Sequence, residues 1–234
     1  MSKRSKLEKF SENLHFPNVF ENLSFHEPRL HKSQLETVDH KGRWGLDYFK
    51  NEFPITLELA CGGGEYCLGL ANLYPERNYI GVDIKGARIW KGARKALDQN
   101  QHRVAFVRTR IELLPHFFDR NEIHEIWITF PDPFLRKSKS NKRLTSPFYL
   151  NTYKRYLKPG SLLHLKTDDD TLYAFSMESL EADPDFKILV SNADIYHSGL
   201  DFPELELKTY YEFQHLAAGK SIKYIRAEYQ PQNG

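Results

Sequence analysis

The chain has 234 residues, with 33 Lys and Arg against 31 Asp and Glu and a formal net charge of +2; this length suits one domain with a full core, or one domain plus a small appendage. Hydrophobic residues make up 40% and charged residues 27%, which excludes a disordered chain, and no run approaches the length of a membrane span. With charges so nearly balanced, any nucleic-acid binding has to come from local clusters of Lys and Arg. Two cysteines, Cys61 and Cys67, are too few for a disulfide framework or a zinc site. The histidines show no ligand spacing such as H-E-x-x-H, so no metal is expected. The N-terminal MSKRSKLEKF is basic without an apolar core or a cleavage site; it does not read as a signal peptide, and a reducing, cytoplasmic setting is expected.

Residues 1–50 are polar and aromatic with weak periodicity, and read as a basic arm with one or two short helices. Residues 51–234 read as the main domain. From Ile55 the texture changes. Ile55–Ala60 is an apolar strand running into Cys61-Gly62-Gly63-Gly64, and Glu65–Tyr74 has helical spacing with Pro75 just beyond. A second strand covers Tyr79–Ile84, a basic helix residues 85–98, a third strand Val104–Val107 and a short helical piece residues 111–118. The fourth strand, Glu125–Phe130, ends at Pro131-Asp132-Pro133. A helix over 146–157 closes at Lys158-Pro159-Gly160, and the fifth strand, Ser161–Lys166, ends at Thr167-Asp168. A helix over 170–182 follows, then strand-like stretches at 186–190 and 221–229. This alternation predicts an α/β fold of Rossmann-like type, with a mostly parallel central sheet and helices on both faces. Ligands of such sheets bind outside the carboxyl ends of the strands, where Glu58, Asp83, Asp132 and Asp168 are found.

Gly62 and Gly64 let the backbone turn sharply and approach a ligand closely. Two ligands compete for such a loop. A dinucleotide fingerprint, G-x-G-x-x-G, would need glycine where Cys67 stands. A nucleoside ligand without phosphates fits better: Glu58 could take the amino group of a methionine tail, and Asp83, about twenty residues on, could accept from both ribose hydroxyls. The plainer readings are a tight strand-to-helix turn and a helix cap. The runs LELACGGG and YIGVDI resemble the first and second motifs of the class I S-adenosylmethionine-dependent methyltransferases.

The most distinctive segment runs from Phe130 to Thr145, FPDPFLRKSKSNKRLT. Prolines on both sides of Asp132 rigidify the backbone and fix where its carboxylate points. Five cations follow: Arg136, Lys137, Lys139, Lys142 and Arg143. A charge run is often only a solvated loop, but one hinged on a strand-end acid reads as a phosphate-contacting RNA segment. The helix after Asp83 adds Lys85, Arg88, Lys91, Arg94 and Lys95, mostly on one face, and the N-terminus adds Lys3, Arg4, Lys6 and Lys9.

This segment resembles the tRNA (guanine-N7-)-methyltransferase family, as do Lys41-Gly42-Arg43-Trp44, Lys166-Thr167-Asp168 and Thr209-Tyr210-Tyr211-Glu212; the resemblance covers the chain from about residue 18. It implies S-adenosylmethionine as cofactor, tRNA as partner, and methyl transfer to N7 of a guanosine in the variable loop, by a monomer or homodimer. Carried over by position, Glu58, Gly62, Gly64, Asp83 and Asp132 fall on cofactor-binding positions, and Asp132 is also the proposed catalytic residue. Arg136, Asp168, Thr209, Tyr210, Tyr211 and Glu212 fall on substrate positions. Lys137, Lys139, Lys142 and Arg143 are the expected RNA contacts. The chain departs from the family pattern at Phe134 (tryptophan), Arg136 (lysine) and Lys139 (histidine). Arg110 stands where an adenine-side aspartate is usual, leaving a backbone group or Glu112 to replace it.

Guanine N7 already carries a lone pair, so alignment and electrostatics are the enzyme's expected contribution, and neither cysteine is needed as a nucleophile. Two other readings are a methyltransferase for a different substrate and a non-catalytic RNA-binding module of the same fold. The basic run beside Asp132 disfavours the first, and the intact strand-end acids disfavour the second.

Overall fold

The computed structural model describes residues 4–33, 36–199 and 202–232; Lys3 of the basic N-terminal run lies outside them. The chain forms two compact units that divide after Asp119.

In the first unit the order is α1 (Lys6–Asn13), β1 (Val19–Glu21), β2 (Leu30–His31), β3 (Thr37–Val38), a π-helical turn at Trp44–Phe49, β4 (Ile55–Leu59), α2 (Glu65–Leu73), β5 (Asn78–Asp83), α3 (Gly86–Asp98), β6 (Val104–Arg108) and a short 3-10 helix at Ile111–His116. The strands lie in the order β3-β2-β1-β6-β5-β4. β1, β6, β5 and β4 run parallel, while β2 and β3 add an antiparallel margin. Every residue of β4 and β5 is buried, as expected of parallel strands covered on both faces.

The segment expected as an arm therefore contributes strands as well as a helix. Ser5 and Glu8 cap α1 reciprocally, satisfying backbone groups that a helix start leaves open. α1 then docks on α3: Trp90 donates its indole N–H to Glu12 at 2.8 Å and the Asn13 amide donates to the Gly86 carbonyl at 2.9 Å. Arg4 and Lys9 both lie over the Trp90 ring. Trp44 is fully buried, stacked on Phe118, with its indole N–H on the Phe117 carbonyl.

The second unit runs β7 (Ile123–Thr129), a 3-10 helix at Lys137–Lys142, α4 (Pro147–Tyr153), β8 (Leu157–Thr167), α5 (Asp170–Glu181), β9 (Phe186–Asn192), α6 (Ile195–Ser198), a 3-10 turn at Pro203–Glu206, α7 (Tyr210–Ala217) and β10 (Lys223–Tyr229). Its strand order is β7-β8-β10-β9. β7 and β8 are parallel, and β10 inserts antiparallel between β8 and β9. β8 starts earlier than expected: the Lys158-Pro159-Gly160 run lies within the strand rather than before it, where the register with β7 shifts. Trp127 on β7 stacks on His164 on β8 with ring centroids 3.9 Å apart, and the imidazole also meets the Tyr224 hydroxyl of β10 at 2.8 Å and Glu125 at 3.0 Å. No helix among the described residues is long and apolar enough to cross a membrane.

Candidate active site

The first unit builds a ligand loop between β4 and α2. Ala60, Gly62 and Gly64 all have positive φ, at 56°, 56° and 64°, so the chain coils tightly as it leaves the strand. A side chain at Gly64 would collide with the Phe106 ring. Gly92 on α3 has the matching role, since a Cβ there would run into the Gly63 carbonyl. Asp83, at the end of β5, is buried and clamps this loop. Its Oδ2 accepts from the Gly62 N–H and its Oδ1 from the Lys85 N–H, both at 2.8 Å. A carboxylate can accept about four hydrogen bonds, so both oxygens keep capacity for ligand hydroxyls. Glu58 is buried below the loop, with Oε2 accepting from the Cys67 N–H at 2.9 Å. Cys61 and Cys67 are free, buried thiols, and burial pushes both well above the ordinary thiol range.

Beside Asp83 opens a cavity of about 240 Å³ whose walls include Asn22, Phe25, Ile84, Thr109, Arg110 and Leu113. Phe25 and Ile84 are both more than half exposed. Apolar walls with a few polar groups are common to small-molecule sites. Arg110 lies at the expected place but points its charge elsewhere: Nε donates to Glu112 at 2.8 Å, and its guanidinium sits 5.3 Å from the centre of the Phe25 ring. Glu112, considered as a substitute acid, is thus engaged by Arg110. The wall contributed by Asn22 to Phe25 was not singled out in the sequence; a phenylalanine within a polar segment was the one available sign.

In the second unit, Phe130 leaves β7 with φ 49° and Phe134 follows with φ 42°. Such values are costly for bulky residues and tend to occur where a site over-determines the backbone. Between them Asp132 is exposed, with Oδ1 accepting from the Phe134 N–H at 3.1 Å, a turn that fixes the carboxylate. Arg136, Lys137, Lys139 and Lys142 all face solvent. Arg143, expected as an RNA contact with Lys137, Lys139 and Lys142, sits differently from them. It is buried, its guanidinium donates to the Pro133 and Phe134 carbonyls at 2.9 and 3.2 Å, and it lies 4.5 Å from the Phe175 ring centre. Arg143 thus ties the loop closed.

Asp168 follows β8, and its Oδ2 accepts from Lys220. Thr209 caps α7 by accepting from the Glu212 N–H. Tyr210 and Tyr211 are exposed on the first turn. Glu212 also departs from expectation, because it has no accessible surface. Its carboxylate binds Lys166 at 2.7 Å and accepts from the Tyr196 hydroxyl at 2.8 Å. It therefore holds α7 in place. Lys166 was missed in this role, although a lysine in the apolar run Leu163-His164-Leu165 signals a buried partner.

A glycine loop clamped by a strand-end acid on parallel β-strands is an arrangement suited to a nucleoside ligand, and comparison with known proteins places the chain among the methyltransferases. The family model described as "Putative methyltransferase" matches residues 52–224. The fold is shared with the crystal structure of the 16S rRNA methyltransferase KamB, with a TM-score of 0.61 over 84% of this chain and 97% of that one at 12% identity. Within that class the chain belongs to the tRNA (guanine-N(7)-)-methyltransferase family. It is 42% identical to the member from Bacteroides thetaiotaomicron, over 99% of this chain and 88% of the relative. It is 41% identical to that from Christiangramia forsetii, over 97% and 98%.

Proposed function

We propose that the chain transfers a methyl group from S-adenosylmethionine to N7 of a guanosine in tRNA, the variable-loop guanosine by family resemblance. The observation that carries the RNA half of this reading is the turn at Asp132: one rigid exposed acid followed directly by four solvent-facing cations.

The donor set fits the cofactor. Asp83 is placed to accept from the ribose hydroxyls, because the loop already holds its carboxylate rigid. The cavity between Phe25 and Ile84 suits the adenine ring. Glu58 supplies negative charge below the loop for the ammonium of the methionine part. When bound, the cofactor supplies an electrophilic methyl group on a sulfonium.

This chain's residues then have to bind and align, since guanine N7 needs no deprotonation. Asp132 accepts from the N1–H and amino group of guanine, or orients the cofactor, and in either role opposes the positive charge that builds on the purine. Asp168 meets the nucleoside. Tyr210 and Tyr211 offer exposed rings on which a base stacks, and Thr209 and Glu212 hold them by capping and anchoring α7. Arg136, Lys137, Lys139 and Lys142 contact phosphates. The test is methyl transfer from labelled cofactor to unmodified tRNA followed by nucleoside analysis. N7-methylguanosine in the digest is expected; label in any other nucleoside, or none in tRNA, overturns the reading.

A further inference from the structure

We propose that His215 is a positioning residue for the methyl acceptor, because its one imidazole ties the acid that follows β8 to the turn that carries Asp132. The inference rests on reading Asp168 and Asp132 as residues that meet the guanine.

His215 Nδ1 lies 3.2 Å from Asp168 Oδ2, and its side chain keeps 25% exposure against 15% for the acid. The Lys220 ammonium reaches the same oxygen. The end of α7 brings these two side chains together, since the Lys220 backbone N–H donates to the His215 carbonyl at 3.0 Å and Gly219 turns between them with φ 73°. With the Lys220 ammonium hydrogen-bonded to Oδ2 and the imidazole edge packed beside the same oxygen, the rotation of the carboxylate is restricted, and with it the direction of Oδ1. The opposite relationship of His215 is with Phe130: the rings are near parallel, at 26°, with centroids 5.6 Å apart. Phe130 is the left-handed residue two before Asp132. Its N–H is held by the Lys166 carbonyl, on the residue whose side chain anchors α7 through Glu212. His215 therefore contacts both acid-bearing turns from a helix that is itself pinned.

A partly exposed polar contact contributes little to folding, whereas an acid out of register with a reacting base is costly in rate. The arrangement thus predicts a kinetic effect with little loss of stability. His215→Phe keeps a ring against Phe130 and removes Nδ1; His215→Asn keeps a polar hydrogen near Asp168 and loses the ring. Each is made in the full chain and combined with Asp168→Asn. The measurements are steady-state methyl transfer to a tRNA transcript, cofactor affinity by calorimetry, and thermal melting.

His215→Phe is expected to lower kcat/KM for tRNA by about tenfold, with cofactor affinity and melting temperature unchanged. His215→Asn recovers part of that loss. In the Asp168→Asn background the His215→Phe loss disappears, because the group it aims is gone. Parent-like kcat/KM in His215→Phe, or a loss that multiplies in full with that of Asp168→Asn, overturns the proposal. If Asp168→Asn alone is silent while the parent makes N7-methylguanosine, the roles of Asp168 and His215 both fall and the enzymatic reading stands. If the parent methylates no tRNA, the enzymatic reading falls and takes the proposal with it.

Discussion

The Lys166 ammonium and the Glu212 carboxylate lie 2.7 Å apart, and neither side chain has any surface exposed to solvent. Burial pulls the Lys166 pKa below its usual value although Glu212 pulls it back up. The lysine also donates to the Leu207 carbonyl at 3.2 Å, and the carboxylate accepts from Tyr196. A buried pair of this kind is costly to break and cheap to replace as a unit. Lys166→Met strands a buried carboxylate and should destabilise the chain by about 3–5 kcal/mol. Adding Glu212→Leu should restore most of that loss. Urea unfolding of the parent, Lys166→Met, Glu212→Leu and the double variant decides it; single losses that simply add in the double variant would show that the pair is not energetically coupled.

Asp83 is expected to govern cofactor affinity. Asp83→Ala removes the acceptor for the proposed ribose contacts and also releases the Gly62 and Lys85 N–H groups. Each hydrogen bond to a charged group is worth about 1.5–3 kcal/mol, so binding should weaken at least tenfold by calorimetry. Unchanged affinity in a folded variant would remove Asp83 from the cofactor site.

The basic loop divides into two kinds of residue. Neutralising Arg136, Lys137, Lys139 and Lys142 should weaken tRNA binding and flatten its salt dependence, each lost phosphate contact taking about 0.7–0.9 from the log–log slope. Cofactor affinity should be untouched. Arg143→Gln should behave differently, lowering turnover and loosening the loop to proteolysis, because its guanidinium holds the Pro133 and Phe134 carbonyls. Equal salt slopes for the parent and the fourfold variant would leave the four cations as mere solvation.

Asp132→Asn keeps the shape and an acceptor for the Phe134 N–H but removes the charge. Turnover at saturating tRNA and cofactor should drop roughly a hundredfold, the usual effect of one preorganised electrostatic group. tRNA affinity should hold, since the interaction strengthens as charge develops on the base. A folded Asp132→Asn protein with parent-like single-turnover rates would leave the residue a turn former only.

The two thiols make stability depend on alkaline pH. Burial raises Cys61 and Cys67 well above 9.0 in the fold, while unfolded thiols ionise near that value. Above it the folded chain binds more protons than the unfolded one, so stability declines as pH rises. The contribution is fully present below about pH 9 and shrinks above it. Urea unfolding at about pH 8 and 10 should show a loss that is smaller in a Cys61→Ala, Cys67→Ala variant; an identical loss would place its source elsewhere, for example in the buried tyrosines Tyr153 and Tyr156.

Where short stretches of chain carry their own instructions, the sequence was legible. The glycine run after an apolar strand, the acid about twenty residues later and the proline-bracketed Asp132 all act through backbone geometry within a few residues. The structure places Gly62, Gly64, Asp83 and Asp132 at the strand ends where the pattern located them. The alternation of β4 through β8 with helices was equally local, because burial on both faces leaves continuous apolar runs.

Only tertiary packing decided what the charges do. Arg136 and Arg143 look alike in the sequence, yet one faces solvent and the other is buried under Phe175. Glu212 and Lys166 are 46 positions apart, and only the docking of α7 on β8 brings them together. The same holds for Asn22 and Phe25, which join Ile84 and Arg110 in one cavity because β1 pairs with β6. A backbone turn is dictated by neighbours along the chain, whereas a charge is satisfied by whichever partner the fold carries to it across many residues.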